Sequence, residues 1–262
     1  MFETARYESE RRLPAAAVIS LALSAFAAMV LLIAPGIIGE IDVDALLADL
    51  PPALVESMGL QHMGTIEGFL ALELYQFVWV LGLGAYVAYS AASTIAGDVE
   101  DGRMDTLLAA PVSRRRLLLE KYLALLSPVV VVNVVVFCVV AAGTAVIGEP
   151  VALADLVAVH ALSMPYFMAC GAAGMVASVA APRRLVAEGV AAGAVVGTFL
   201  LQSLTTGTSA EWLGSVAPMR YYDPLAVLTA SEYDPVGAGI LLAAAAALLA
   251  VAVRVFEGAD VQ

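Results

Sequence analysis

The chain has 262 residues, 62% of them hydrophobic and only 14% charged, with a mean hydropathy of +0.93 and a formal net charge of −12. About a quarter of the residues in a soluble globular domain are charged, so this composition excludes that class and indicates a polytopic membrane protein. The only two cysteines, Cys138 and Cys170, both fall in apolar runs, where a thiol is a small packing residue; they form neither a disulfide framework nor a zinc spacing.

Cutting the chain at charged residues leaves Leu13–Gly39, Leu74–Gly97, Tyr122–Gly148, Leu156–Pro182, Gly189–Ala210 and Pro235–Val253, of 27, 24, 27, 27, 22 and 19 residues. A helix needs about 20 apolar residues to cross the hydrocarbon core, and lipid offers its backbone groups no other partner. The expected fold is all-α, a single membrane domain over 1–262 with spans at 14–36, 67–97, 117–147, 155–181, 187–206 and 236–254. Even parity puts both termini on one side with the loops 98–121 and 183–188, and that side holds 11 of the 12 basic residues, all but Arg220. By the positive-inside rule this side is cytoplasmic. The acidic residues divide 13 outside and 11 inside. Solvated loops account for that surplus, and so does a protein adapted to high salt, which screens repulsion between carboxylates.

Taken in chain order, residues 1–13 combine Glu3, Arg6, Glu8, Glu10, Arg11 and Arg12 with Phe2, Tyr7 and Leu13, the pattern of a short helix on the membrane surface. The 27 uncharged residues that follow exceed the h-region of a signal peptide. The outer segment 40–64 reads as one or two short amphipathic helices broken by Pro51-Pro52, and Thr65 has the chemistry to cap the second span. Glu73 lies in the first turns of that span. It is an interfacial carboxylate near Gln76 or, as an intramembrane acid, a transport candidate.

The third span carries Asn133 inside a β-branched run, VVVVNVVVF, and an interhelical hydrogen bond is its expected use. In the fourth, His160 sits near the outer end, and Pro165 is expected to kink a helix rich in small residues. Gly189, Gly193 and Gly197 recur at four-residue intervals in the fifth span and predict a tightly packed helix pair. The outer segment 207–235 places Trp212, Tyr221, Tyr222 and Tyr233 at the water–lipid boundary in short helices, with Arg220 expected to pair with a carboxylate such as Asp223.

No GxxxxGK[ST] phosphate loop, HExxH or GxSxG occurs, so no catalytic, cofactor-binding or metal-ligating residue is assigned and the chain is not expected to be an enzyme. The remaining feature is 98–121, DVEDGRMDTLLAAPVSRRRLLLEK. Asp98 has the composition of an N-cap, with Glu100 and Asp101 in the first turn. Met104, Leu107 and Leu108 fall on one stripe, Pro111 ends the element, and Ser113 can cap the next helix. A partner-docking helix over 98–112 fits this pattern. So does an interfacial loop in which Arg114, Arg115, Arg116 and Lys121 simply anchor the membrane surface.

The run Ala96-Gly97-Asp98-Val99-Glu100-Asp101-Gly102, with Asp105-Thr106-Leu107-Leu108-Ala109-Ala110-Pro111-Val112-Ser113-Arg114 and Leu118-Leu119-Glu120-Lys121, resembles the permease subunits of type-two ABC exporters. Their pattern is an acid, a Gly a few residues later, Leu-Leu-x-x-Pro-Val-Ser-Arg and a later Lys. Arg103-Met104 departs from it, since Thr often follows the Gly, and Asp105 stands where Glu is usual.

The resemblance implies a multi-pass plasma-membrane permease whose loop is a coupling helix docking on a separate ATP-binding subunit. ATP and Mg would bind on that partner. A second permease chain, identical or homologous, and membrane lipid complete the implied partners, and nucleic acid is not among them. In this expectation Met104, Leu107 and Leu108 fill a groove on the ATPase, and Asp98, Glu100, Asp101 and Asp105 set the register with Gly102 and Pro111. An ion-coupled carrier using Glu73, Asn133 and His160, or a scaffold that recruits a regulator, are the alternatives.

Overall fold

Each uncharged run supplies most of one long helix in the computed structural model, which describes residues 3–40, 43–48, 55, 59–109 and 112–258. Among them no strand occurs. Among the described residues six helices are long and apolar enough to cross a membrane: α1 (Glu3–Glu40), α3 (Ile66–Glu100), α5 (Arg114–Val146), α6 (Leu153–Ala180), α7 (Arg184–Thr205) and α9 (Pro235–Gly258). The short helices α2 (Val43–Ala48), α4 (Met104–Ala109) and α8 (Pro224–Ala230) lie between them.

The N-terminal segment is not a separate surface helix. It is the opening of α1, which runs unbroken through Pro14. Pairs one turn apart, Arg6 with Glu10 at 2.9 Å and Arg12 with Glu8 at 4.0 Å, favour helix through this polar stretch. Thr65 caps α3 by accepting from Gly68 N at 3.1 Å. From Ala71 to Leu83 the helix widens to a π-helix, and Tyr75 and Trp79 there point fully into the bundle.

In lipid, helices gain little from apolar burial against one another; close packing and hydrogen bonds hold them. The two central spans are α3 and α6, each with 56% of its most apolar window buried, against 28% for α1, α7 and α9. α1 packs along α5, α9 along α6, and α7 against α3. Small residues bring the central pair together. A Cβ on Gly174 would run into the Ala88 carbonyl oxygen and lie 2.8 Å from Ala91 Cβ, and one on Gly84 would meet the Tyr166 ring.

Within one chain the fifth-span glycines make no close helix pair, since a Cβ added to Gly189, Gly193 or Gly197 would meet no atom within 4 Å. They lie on the outward face of α7, with Val186, Val190 and Leu200 exposed beside them. The close helix pair is thus α3 with α6.

Candidate functional site

Glu8 of α1 meets Lys121 of α5, and Arg114 of α5 meets Phe256 of α9, so the described ends of the chain lie at the same end of the bundle as the loop between α3 and α5. At this basic end α3 stops by a Schellman arrangement. Arg103 N donates to Asp98 O at 2.8 Å and Gly102 N to Val99 O at 3.1 Å. Gly102 takes φ +68°, a left-handed conformation that favours glycine. Asp98 is therefore in the last turns of α3 and does not cap a following helix; the short helix α4 begins only at Met104. The reversal at Gly102 explains the difference, since it turns the chain before the stripe Met104–Leu107 starts.

The side chain of Asp98 turns inward. Lys121 Nζ lies 2.6 Å from Asp98 Oδ2 and 2.8 Å from Glu8 Oε1, with the Lys121 side chain 3% exposed. Arg103 reaches Asp98 Oδ1 at 2.9 Å and Asp101 Oδ2 at 2.8 Å. One charge network thus joins α1, α3, α5 and the loop, and it contains both signs in near balance. Low dielectric strengthens such contacts and makes an unpaired member expensive.

Lys121 is accordingly an internal ion-pair centre instead of a headgroup anchor. Arg114 donates to Phe256 O at 3.0 Å with its guanidinium 5.7 Å from that ring, and Arg116 pairs with buried Glu120 at 2.7 Å. Arg115 faces outward. Ser113 caps α5 by accepting from Arg116 N at 3.3 Å.

The apolar stripe also points inward. Met104 is 2% exposed within the core, and Leu107 is partly buried against it. The side chain of Leu108, and Pro111, lie outside the described residues. Among the described residues around this turn, those facing solvent are Val99, Glu100, Asp101, Gly102, Arg103, Asp105, Thr106 and Ala109. Glu100 has a further partner: its Oε2 accepts from Arg184 N at 3.0 Å, at the N-terminus of α7, where a carboxylate is favoured.

Of the intramembrane polar residues, Asn133 and His160 come together while Glu73 stays apart, half-buried at the far end. Asn133 Nδ2 donates to Ser163 Oγ at 3.0 Å, which turns its Oδ1 toward His160 Nδ1 at 2.9 Å. His160 Nδ1 then carries the proton and Nε2 accepts from Tyr75 O–H at 3.0 Å. Ser163 O–H closes the set by donating to His160 O at 2.7 Å. Tyr75, Trp79 and Phe137 pack edge-on around the imidazole. The cluster ties α3, α5 and α6 together, and the polar side-chain atoms of Asn133, His160, Ser163 and Tyr75 find partners in it, whereas the buried Trp79 Nε1 beside them has none among the described residues.

At the far end, Arg220 pairs with Glu211 at 3.3 Å, not with Asp223, which caps α8 by accepting from Leu225 N and Ala226 N. The residues that sequence reasoning missed are Glu8, Arg103, Tyr75, Ser163 and the Glu100–Arg184 contact. For Arg103 a signal existed, since it directly follows the one glycine of the loop.

The model of a family described as ABC-2 family transporter protein matches residues 15–261. No curated protein matches the chain. No solved structure matches it either. A family match over nearly the whole length, on an all-helical chain with six helices able to cross a membrane, identifies an ABC-2 type permease: the chain belongs to the ABC-2 transporter family.

Proposed function

We propose that this chain is the membrane-spanning subunit of an ATP-driven exporter in the plasma membrane, with both termini cytoplasmic, and that the loop between α3 and α5 couples it to a separate ATP-binding subunit. ATP and Mg bind on that partner, and two permease chains assemble with two ATPases. The observation that carries this reading is the network in which Glu8, Lys121 and Asp98 pair inside the bundle and solvent-facing Arg103 of the loop joins them through Asp98. A loop fastened by Arg103 to Asp98, which is itself tied to Lys121 of α5 and through it to Glu8 of α1, transmits a push, whereas a headgroup anchor needs no such fastening.

Among the described residues the exposed surface of the loop is mainly polar. Met104 and Leu107 hold α4 on the bundle, while Asp101, Asp105 and Thr106 face outward to meet the partner. An ion-coupled carrier is less well supported, because the Asn133–His160 cluster spends its hydrogen bonds internally.

The test is copurification of the tagged permease with its ATPase subunit, comparing wild type with the double substitution Asp101→Lys and Asp105→Lys. Retained membrane insertion with loss of the ATPase is expected. Copurification unchanged by reversing both charges would overturn the docking role.

A further inference from the structure

Two cavities meet at Tyr221, at the end of the bundle remote from the 98–121 loop. One, of ≈ 360 Å³, is a groove between α7 and α9, floored by α6 and roofed by the segment before α8. Its walls are apolar, with Ala173, Val195, Val216, Ile240, Ala244 and Leu248 among them. The other, of ≈ 410 Å³, lies between α8 and the start of α9. Both volumes fall in the range of small-molecule sites, roughly 300–1,000 Å³. Tyr221 lines both, its ring held where its O–H donates to Ser215 O at 2.8 Å.

The second cavity differs in chemistry from the first. Asp223, Glu232 and Asp234 line it together with Tyr221, Tyr222 and Tyr233. Arg220 also borders it, but its guanidinium is engaged by the carbonyl oxygen of Glu211 at 3.1 Å and by that residue's carboxylate at 3.3 Å. Two of the acids are positioned by backbone: Asp223 caps α8, and Asp234 accepts from Gly237 N at 2.7 Å at the start of α9. The carboxylate of Glu232 has no hydrogen-bond partner among the described residues.

Tyrosine faces attract cations through the ring quadrupole, and carboxylates beside them supply the opposite charge. An anionic head group would meet like charge here, whereas a cationic one meets opposite charge. The apolar groove, by contrast, opens sideways between two helices whose other faces expose Val196, Leu200, Leu242 and Val251. An alkyl chain reaches it directly from the bilayer.

We propose that the two cavities form one site for a single-chain cationic amphiphile. The alkylammonium head sits among Glu232, Asp234 and Tyr233, and the chain passes Tyr221 into the groove between α7 and α9. The proposal rests on the transport reading only in making this amphiphile a cargo; the site itself belongs to this chain and needs no ATPase.

The test is equilibrium dialysis of radiolabelled dodecyltrimethylammonium against the full chain in a neutral maltoside detergent, with protein-free micelles as blank and dodecyl sulfate as the anionic control. Saturable binding of one ammonium amphiphile per chain is expected, at least about tenfold tighter than the sulfate. Glu232→Lys at the head and Ala244→Phe in the groove each weaken it by about tenfold or more, while thermal unfolding of both variants stays at the wild-type temperature. Equal binding of the two amphiphiles, or wild-type binding by either variant, overturns the composite site. Failure of the coupling reading shows itself separately, as ATPase copurification that ignores the loop.

Discussion

Lys121 Nζ lies 2.6 Å from Asp98 Oδ2, and the two side chains are only 3% and 6% exposed. Removing one member of a buried ion pair leaves an uncompensated charge, which costs about 3–5 kcal/mol. Lys121→Met is therefore expected to destabilise the protein by about that amount, read as a lowered midpoint of unfolding in detergent. Arg115→Met, at an exposed position in the same basic run, should stay within about 0.5 kcal/mol. Equal effects of the two would return Lys121 to the role of a surface anchor.

The turn that ends α3 can be tested without touching a contact. A Cβ on Gly102 meets no atom within 4 Å, but its φ of +68° is strained for any L side chain. Gly102→Ala should lose about 1–2 kcal/mol from the backbone alone. Gly102→Asn should lose less, because asparagine tolerates the left-handed region. Alanine and asparagine variants of equal stability would show that the turn rearranges.

The central helix pair predicts a contrast between two glycines. At Gly174 an added methyl has the Ala88 carbonyl oxygen and Ala91 in its way, whereas at Gly193 it has open space. Gly174→Ala is expected to destabilise by about 1–3 kcal/mol through overpacking. Gly193→Ala should leave the isolated chain unchanged or slightly more stable, alanine being the better helix former. If crosslinked permease pairs lose stability with Gly193→Ala while single chains do not, the outward face of α7 serves a second copy.

Replacing Asn133 with leucine removes the partners of Ser163 and His160 together. Interhelical hydrogen bonds in membranes are worth about 0.6–2 kcal/mol, and a loss of this size is expected for Asn133→Leu. In a double-mutant cycle with Ser163→Ala the two losses should fall short of adding, since the residues share one network. Full additivity would mean that the network does not act as a unit.

The spans were readable because lipid leaves a backbone only helix or closed barrel, and a continuous uncharged run this long suits the helix alone. Direction around the helix axis was not. Gly189, Gly193 and Gly197 form a regular stripe in the sequence, yet regularity does not say whether a stripe faces a neighbour or the bilayer, and Gly174 makes the close approach instead. Lys121 shows a similar limit. Counting basic residues treats each one as a topology marker, and nothing local to Lys121 signals that Glu8, 113 positions earlier, is its partner. Asp98 was misread for another reason. Acids suit the start of a helix by composition, but Gly102 stands where this helix must stop, and the glycine decides. The apolar stripe of α4 was periodic as expected, but periodicity cannot distinguish a face turned to a partner from one turned to the chain's own core.

The contact between Glu100 and the backbone of Arg184 has a mechanical meaning. α7 begins with an amide whose acceptor belongs to another helix, so its first turn is complete only while the end of α3 stays seated. At the opposite end α7 runs into Gly207, at φ +74°, where no such clasp is present among the described residues. α7 is held to the end of α3 by this hydrogen bond at its basic end, and at its other end it packs on the turn at 211–216, with Phe199 beside Phe77 of α3. On the proposed coupling, a shift of the 98–121 loop that drew Glu100 away would free the first turn of α7, the helix that forms one wall of the groove beside α9.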